Sequence, residues 1–70
     1  MIYISHRGNV NGINESNENI PDYIDLALDQ GYHCEVDLWL DKEQLYLGHD
    51  EPMYPIPVKW LLDRKWKLWV

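Results

Sequence analysis

The chain has 70 residues and a mass of 8.4 kDa, and 46% of it is hydrophobic. That is enough for one small core and excludes a multidomain protein, because a domain this short buries only about 60% of its unfolded surface. Charged residues make up 26% and no apolar run approaches the ~20 residues that span a bilayer, while six Lys+Arg against twelve Asp+Glu give a net charge of −6 without the basic stripe that a nucleic-acid backbone requires.

A small phosphorylated ligand stays compatible with the acidic balance, since one well-placed arginine or a metal outweighs the bulk sign locally. The amino terminus, Met1 to Arg7, has no basic leader ahead of a long apolar stretch, and the single cysteine, Cys34, has no partner within the chain. Both features make the reducing cytoplasm the expected location.

In chain order, Ile2 to Ile4 is a short apolar run that reads as a strand. Asn9 to Asn19 follows, with five Asn and only two aliphatics, and reads as an exposed loop. It contains the sequon Asn14-Glu15-Ser16, to which the missing secretory leader gives little weight. From Ile20 to Gly31, residues Ile20, Tyr23, Ile24, Ala27 and Leu28 fall at helical spacing on one face. Pro21 suits the first helical position, Asp22 the positive amino end and Gly31 the exit.

His33 to Leu40 then alternates, with Cys34, Val36, Leu38 and Leu40 on one face and Glu35, Asp37 and Trp39 on the other, which predicts one continuous strand. Leu45 to Gly48 reads as a second extended piece, followed by a loop punctuated by Pro52, Pro55 and Pro57. Val58 to Lys65 is expected to form a short helix burying Val58, Leu61 and Leu62, and Lys67 to Val70 opens one more strand. The order predicts a parallel α/β architecture of right-handed βαβ units. Parallel sheets are normally covered on both faces, so the chain reads as the beginning of a larger domain.

Two stretches match: Ile2-Tyr3-Ile4-Ser5-His6-Arg7 and Leu45-Tyr46-Leu47-Gly48-His49-Asp50. Each places a histidine where an apolar strand gives way to a polar loop, the end of the strand where open sheets and barrels bind ligands. The alternative is that each histidine caps a strand. Glu35 and Asp37, two apart, are expected on one face with Cα atoms roughly 6.6 Å apart. Two carboxylates there repel each other unless a hard cation such as Mg²⁺ or Ca²⁺ lies between them, or unless the strand is a half-exposed edge. Arg7 offers a planar fork to a phosphate, and Gly8 beside it lets backbone come close; a surface salt bridge is the alternative. Glu18-Asn19 either supplies capping polarity or faces the same pocket. Cys34 is assigned to the core, His33 to a structural role, and Trp60, Trp66 and Trp69 to packing.

The ordered series His6-Arg7-Gly8, Glu18-Asn19 ahead of a helix, Glu35-x-Asp37 and His49-Asp50 resembles the amino-terminal signature of the glycerophosphodiester phosphodiesterase family, among the phospholipase-C-like TIM barrels. It extends from Met1 to about Pro52. The resemblance implies that residues 1–70 are the amino-terminal β-α-β-α-β part of a (β/α)₈ barrel, incomplete at this length because such barrels run to about 250 residues. It also implies metal-dependent hydrolysis of a small-molecule phosphodiester. His6 and His49 would be the acid and base pair, Arg7 would contact phosphate, Glu35 and Asp37 would hold Mg²⁺ or Ca²⁺, and Glu18, Asn19 and Asp50 would support the site.

Two imidazoles able to exchange donor and acceptor roles, a guanidinium and a cation agree with that chemistry. Two departures stand out. Asn17 and Ile20 occupy the positions of the family's Pro and Thr, removing a helix cap, and the family's third acidic metal ligand and a lysine come from later strands. The competing expectation is a non-catalytic metal- or phosphate-binding fragment, or an assembly piece that completes its sheet with a partner.

Overall fold

The computed structural model describes residues 1–70, which form β1 (Ile4–His6), α1 (Pro21–Asp29), β2 (His33–Glu35), β3 (Leu38–Asp41), β4 (Gln44–Leu47), β5 (Tyr54–Ile56), α2 (Val58–Arg64) and β6 (Leu68–Trp69). This is a mixed α/β domain of two three-stranded sheets. One is parallel in the order β1-β2-β6, the other is an antiparallel meander β3-β4-β5, and no barrel is closed. No helix is long and apolar enough to cross a membrane.

Helix α1 begins as expected, with Pro21 at its first position, where the missing N–H costs nothing. Ile20 stands at the cap with no side-chain hydrogen bond, as the loss of a Ser/Thr/Asp/Asn cap implies. Ile24 and Ala27 are buried against β2, and the Cys34 thiol lies 3.7 Å from the Ile24 carbonyl. The core joins Ile24, Ala27, Cys34 and Val36 to Leu47 and Ile56, so it spans both sheets.

The expected strand from His33 to Leu40 is broken. Through Val36, whose N–H donates to the Trp69 carbonyl at 2.8 Å, the chain follows the parallel sheet. At Asp37 the backbone N–H goes instead to the Asn19 side chain (3.0 Å), and the Asp37 carbonyl accepts from Gly48 N–H (3.1 Å). The chain therefore leaves one sheet and enters the other, and Leu40 ends up 72% exposed rather than in phase with the core.

The hairpin turn carries no sequence signal, and three further expectations are corrected. Lys42 and Glu43 form a two-residue hairpin turn with both φ angles positive (50° and 67°), without the Asn or Gly such a turn favours. Residues 54–56, expected as loop, are an edge strand, where Pro55 lacks a donor that no neighbour needs. Helix α2 turns Trp60, Leu61 and Arg64 inward and leaves Val58 and Leu62 exposed, because Arg64 fastens it to α1 by bonds of 2.6 and 3.1 Å to Asp25. Trp66, expected to pack, is exposed.

The parallel sheet is covered on one side only. Ser5, Cys34 and Leu68 face α1 and the core, while Ile4, His6, His33, Glu35 and Trp69 share the opposite, uncovered face by register. On that face the Trp69 indole N–H donates to His33 Nδ1 at 3.3 Å, in keeping with a structural role for His33.

The hairpin yields a direct test. Replacing Lys42→Asn and Glu43→Gly relieves two left-handed non-glycine residues, and the urea midpoint is expected to rise by an amount equivalent to about 1 kcal/mol with an unchanged m-value.

Candidate functional site

The site begins where β1 ends. Arg7 N–H makes the last ladder bond, to the Glu35 carbonyl at 2.8 Å, and then Arg7 (φ 57°) and Gly8 (φ 89°) both adopt left-handed conformations. Asn9 N–H returns to the His6 carbonyl at 2.9 Å, closing a tight turn. Gly8 is buried, and a Cβ there would stand 2.8 Å from Cδ2 of Tyr23. Its close approach is thus to the ring of α1, whereas the sequence suggested an approach to ligand.

The turn aims Arg7 inward, where it bonds two acids. Nε donates to Asp37 Oδ2 at 2.6 Å and Nη1 to Glu18 Oε1 at 3.0 Å. Asn19 Nδ2 also donates to Asp37 Oδ2 (2.9 Å), Asn9 Nδ2 to Glu18 Oε2 (2.9 Å), and the Tyr23 hydroxyl to Asn9 Oδ1 (3.0 Å). Glu18 and Asn19, in a segment expected to be exposed, are both buried, and Asn19 N–H donates to the Arg7 carbonyl at 3.1 Å. Of the two readings of Glu18-Asn19, the structure has them face Arg7 rather than cap α1.

His6 stands at the mouth, its Nε2 3.2 Å from Glu35 Oε1. His49 arrives from the end of β4, through a turn in which a Cβ on Gly48 would collide with the Glu51 carbonyl oxygen. The Trp39 indole holds that turn, donating to the Gly48 carbonyl at 2.6 Å. His49 Nδ1 lies 3.9 Å from Asp37 Oδ2 and its Nε2 3.4 Å from Asp50 Oδ1.

An open cleft of ≈ 550 Å³ brings His6, Arg7, Glu18, His49 and Asp50 to one surface, with Tyr54 beside them. Glu35 and Asp37 are not part of its wall. Asp37 reaches it through Arg7 and His49, and Glu35 through His6. The two acids do not lie on one continuous strand, because β2 ends at Glu35 and Asp37 sits in the junction between the sheets. No group of three or more His, Cys, Asp or Glu side chains converges as a metal-chelating set. Asn9 and Tyr23 are members of the network that sequence reasoning missed. The only signal was their position, Asn9 two residues after Arg7 and Tyr23 on the inward face of α1.

The electrostatics follow from this geometry. Burial works against the charge on Arg7, but the hydrogen bonds to Glu18 and Asp37 outweigh it and hold the guanidinium above its ordinary pKa. Glu18 is held below the usual carboxylate range, first by its bond from Asn9 and then by Arg7, against the opposing effect of burial. For Asp37 burial is the largest influence and raises the pKa, yet the bonds from Asn19 and Arg7 and the charge on Arg7 prevail and lower it. Burial pushes the Cys34 thiol up, which suits a core residue better than a nucleophile.

Compared with protein-family models, curated proteins and solved structures, the chain matches none.

Because Glu18 and Asp37 have depressed pKa values when folded, their contribution to stability is complete above the unfolded values of about 4 and disappears as pH falls through the folded ones. Stability measured by urea unfolding is therefore expected to hold between about pH 7 and 5 and to fall below about pH 4. Arg7→Met, which leaves two poorly solvated acids unpaired, is expected to cost about 3 kcal/mol at pH 7, with part of that loss recovered on acidification.

Proposed function

We propose that this chain carries the phosphate- and cation-binding half of a phosphodiesterase site, acting on glycerophosphodiesters to release glycerol phosphate and an alcohol, within a (β/α)₈ barrel that its parallel sheet begins. The observation that carries the reading is the meeting of His6, Arg7, Glu18, His49 and Asp50 in one cleft, from three segments separated along the chain. The progressive parallel order β1-β2-β6, with a helix in each crossover, supports a barrel rather than a sheet whose order reverses.

In this reading the two histidines divide the proton work. One takes the proton of the attacking nucleophile, and the other gives a proton to the departing alkoxide. Arg7, with Nε and Nη1 engaged by acids, turns its remaining N–H groups to the phosphoryl oxygens from the cleft wall. Clamping by Glu18 and Asp37 fixes the fork before substrate arrives, so little side-chain entropy is lost on binding.

The cleft also carries Glu15, Glu18, Asp50 and Glu51 against one arginine, a wall that repels an anionic diester unless a cation accompanies it. The resemblance would give that cation to Glu35 and Asp37, hard oxygen donors that stand behind the wall and are engaged by His6 and by Arg7 and Asn19. Mg²⁺ takes only one or two protein carboxylates and completes its shell with water and phosphate, so a three-residue chelate is not required. Such an ion would supply charge stabilisation at the phosphoryl oxygens.

A second reading is favoured by the uncovered face of the parallel sheet, where Ile4 and Trp69 remain about half exposed. It makes the chain a non-catalytic binding or assembly fragment.

Hydrolysis of a glycerophosphodiester by the protein isolated from its own cells, assayed with Mg²⁺ or Ca²⁺ and with chelator, separates the two. Chelation is expected to abolish turnover, and His6→Ala and His49→Ala each to lower kcat by about a hundredfold or more. Turnover that survives the chelator or both substitutions refutes the hydrolase reading. Cation or phosphate binding without turnover selects the second.

A further inference from the structure

Arg7 is the only arginine or lysine in the cleft wall, and its orientation depends on two acids. Asp37 is itself fixed twice by Asn19, once through its carboxylate and once through its backbone N–H. Glu18 has one other side-chain anchor, the Asn9 amide on Oε2. Asn9 in turn is oriented by the Tyr23 hydroxyl, which donates to its Oδ1 and so turns its Nδ2 toward Glu18. The Tyr23 ring is held by contact with the turn at Gly8, where no side chain fits. A chain of contacts thus runs from helix α1 to the guanidinium through Tyr23, Asn9 and Glu18.

We propose that Asn9, oriented by Tyr23, is a positioning residue that holds Glu18 against Arg7 and so aims the guanidinium at the phosphate of the substrate. The role of Arg7 toward phosphate rests on the phosphodiesterase reading; the positioning itself does not. Without Asn9, one carboxylate oxygen of a side chain only 7% exposed loses its donor. Rotation of Glu18 to find another partner withdraws its other oxygen from Arg7 Nη1. The low pKa of Glu18, whose largest cause is the Asn9 bond, is consistent with this anchor.

The test reads Arg7 directly. Exchange with water of the Arg7 Nη1 protons, one of which Glu18 holds, followed by NMR on this chain at fixed pH, is expected to rise roughly tenfold in Asn9→Ala. It is expected to rise less, in the same direction, in Tyr23→Phe, which keeps the ring against Gly8 and removes only the hydroxyl. Amide resonances of β3, β4 and β5 are expected to stay in place, separating loss of positioning from loss of fold. If Asn9→Ala does not fold, Tyr23→Phe decides alone. Wild-type exchange at Arg7 in the folded variants overturns the proposal.

In protein turning over a glycerophosphodiester, the same substitutions are expected to raise KM more than they lower kcat. Absence of turnover in the wild type refutes the hydrolase reading, while Arg7 exchange still decides the positioning.

Discussion

A guanidinium largely withdrawn from water between two carboxylates is the constraint on which the rest of this small domain depends. Arg7, Glu18 and Asp37 have side chains 15%, 7% and 31% exposed, in a chain whose apolar core has six residues. Poorly solvated charges are tolerable only when they are paired and hydrogen-bonded. The structure supplies those partners from four places: Asn9 in the first turn, Asn19 at the end of the loop, Tyr23 on α1, and the junction at Asp37. The loop is ordered at its ends because its polar side chains satisfy this cluster.

The same cluster decides how the two sheets meet. Asp37 accepts Arg7 with its side chain, gives its N–H to Asn19 and receives Gly48 at its carbonyl, so a single residue ends the parallel sheet and ties in the turn that carries His49. Trp39 braces that turn from the next strand. A residue that sets the path of the chain and also orients the arginine of the cleft couples fold to site. Substitutions at Asp37 therefore move both, and effects on binding have to be read beside effects on stability.

Much of this was legible in the sequence where local chemistry and tertiary context agree. Pro21, Ile24 and Ala27 marked α1, Cys34 and Val36 marked the core face of β2, and an α/β organisation followed from the order of elements, although three of the six strands form an antiparallel sheet where parallel strands were expected. His6-Arg7, Glu18-Asn19 and His49-Asp50 were singled out by position at the ends of elements, and the structure gathers them at one cleft and its buried margin. What stayed hidden had tertiary causes. Alternation ran unbroken through Leu40, and only the side chain of Asn19, distant in sequence, shows why the strand stops at Asp37. Pro55 disguised an edge strand, and Lys42-Glu43 gave no turn signal. The inward face of α2 was set by Arg64 seeking Asp25, a partner on another helix.

The most direct test of this account is a double-mutant cycle between Arg7 and Asp37, built from Arg7→Gln, Asp37→Asn and the double variant, with stability measured by urea unfolding at pH 7. A coupling of about 1.5 kcal/mol or more, the double variant losing less than the sum of the single ones, is the expected result. Additive losses would contradict it, because the guanidinium and the carboxylate would then be independent and the ion pair would not organise the site.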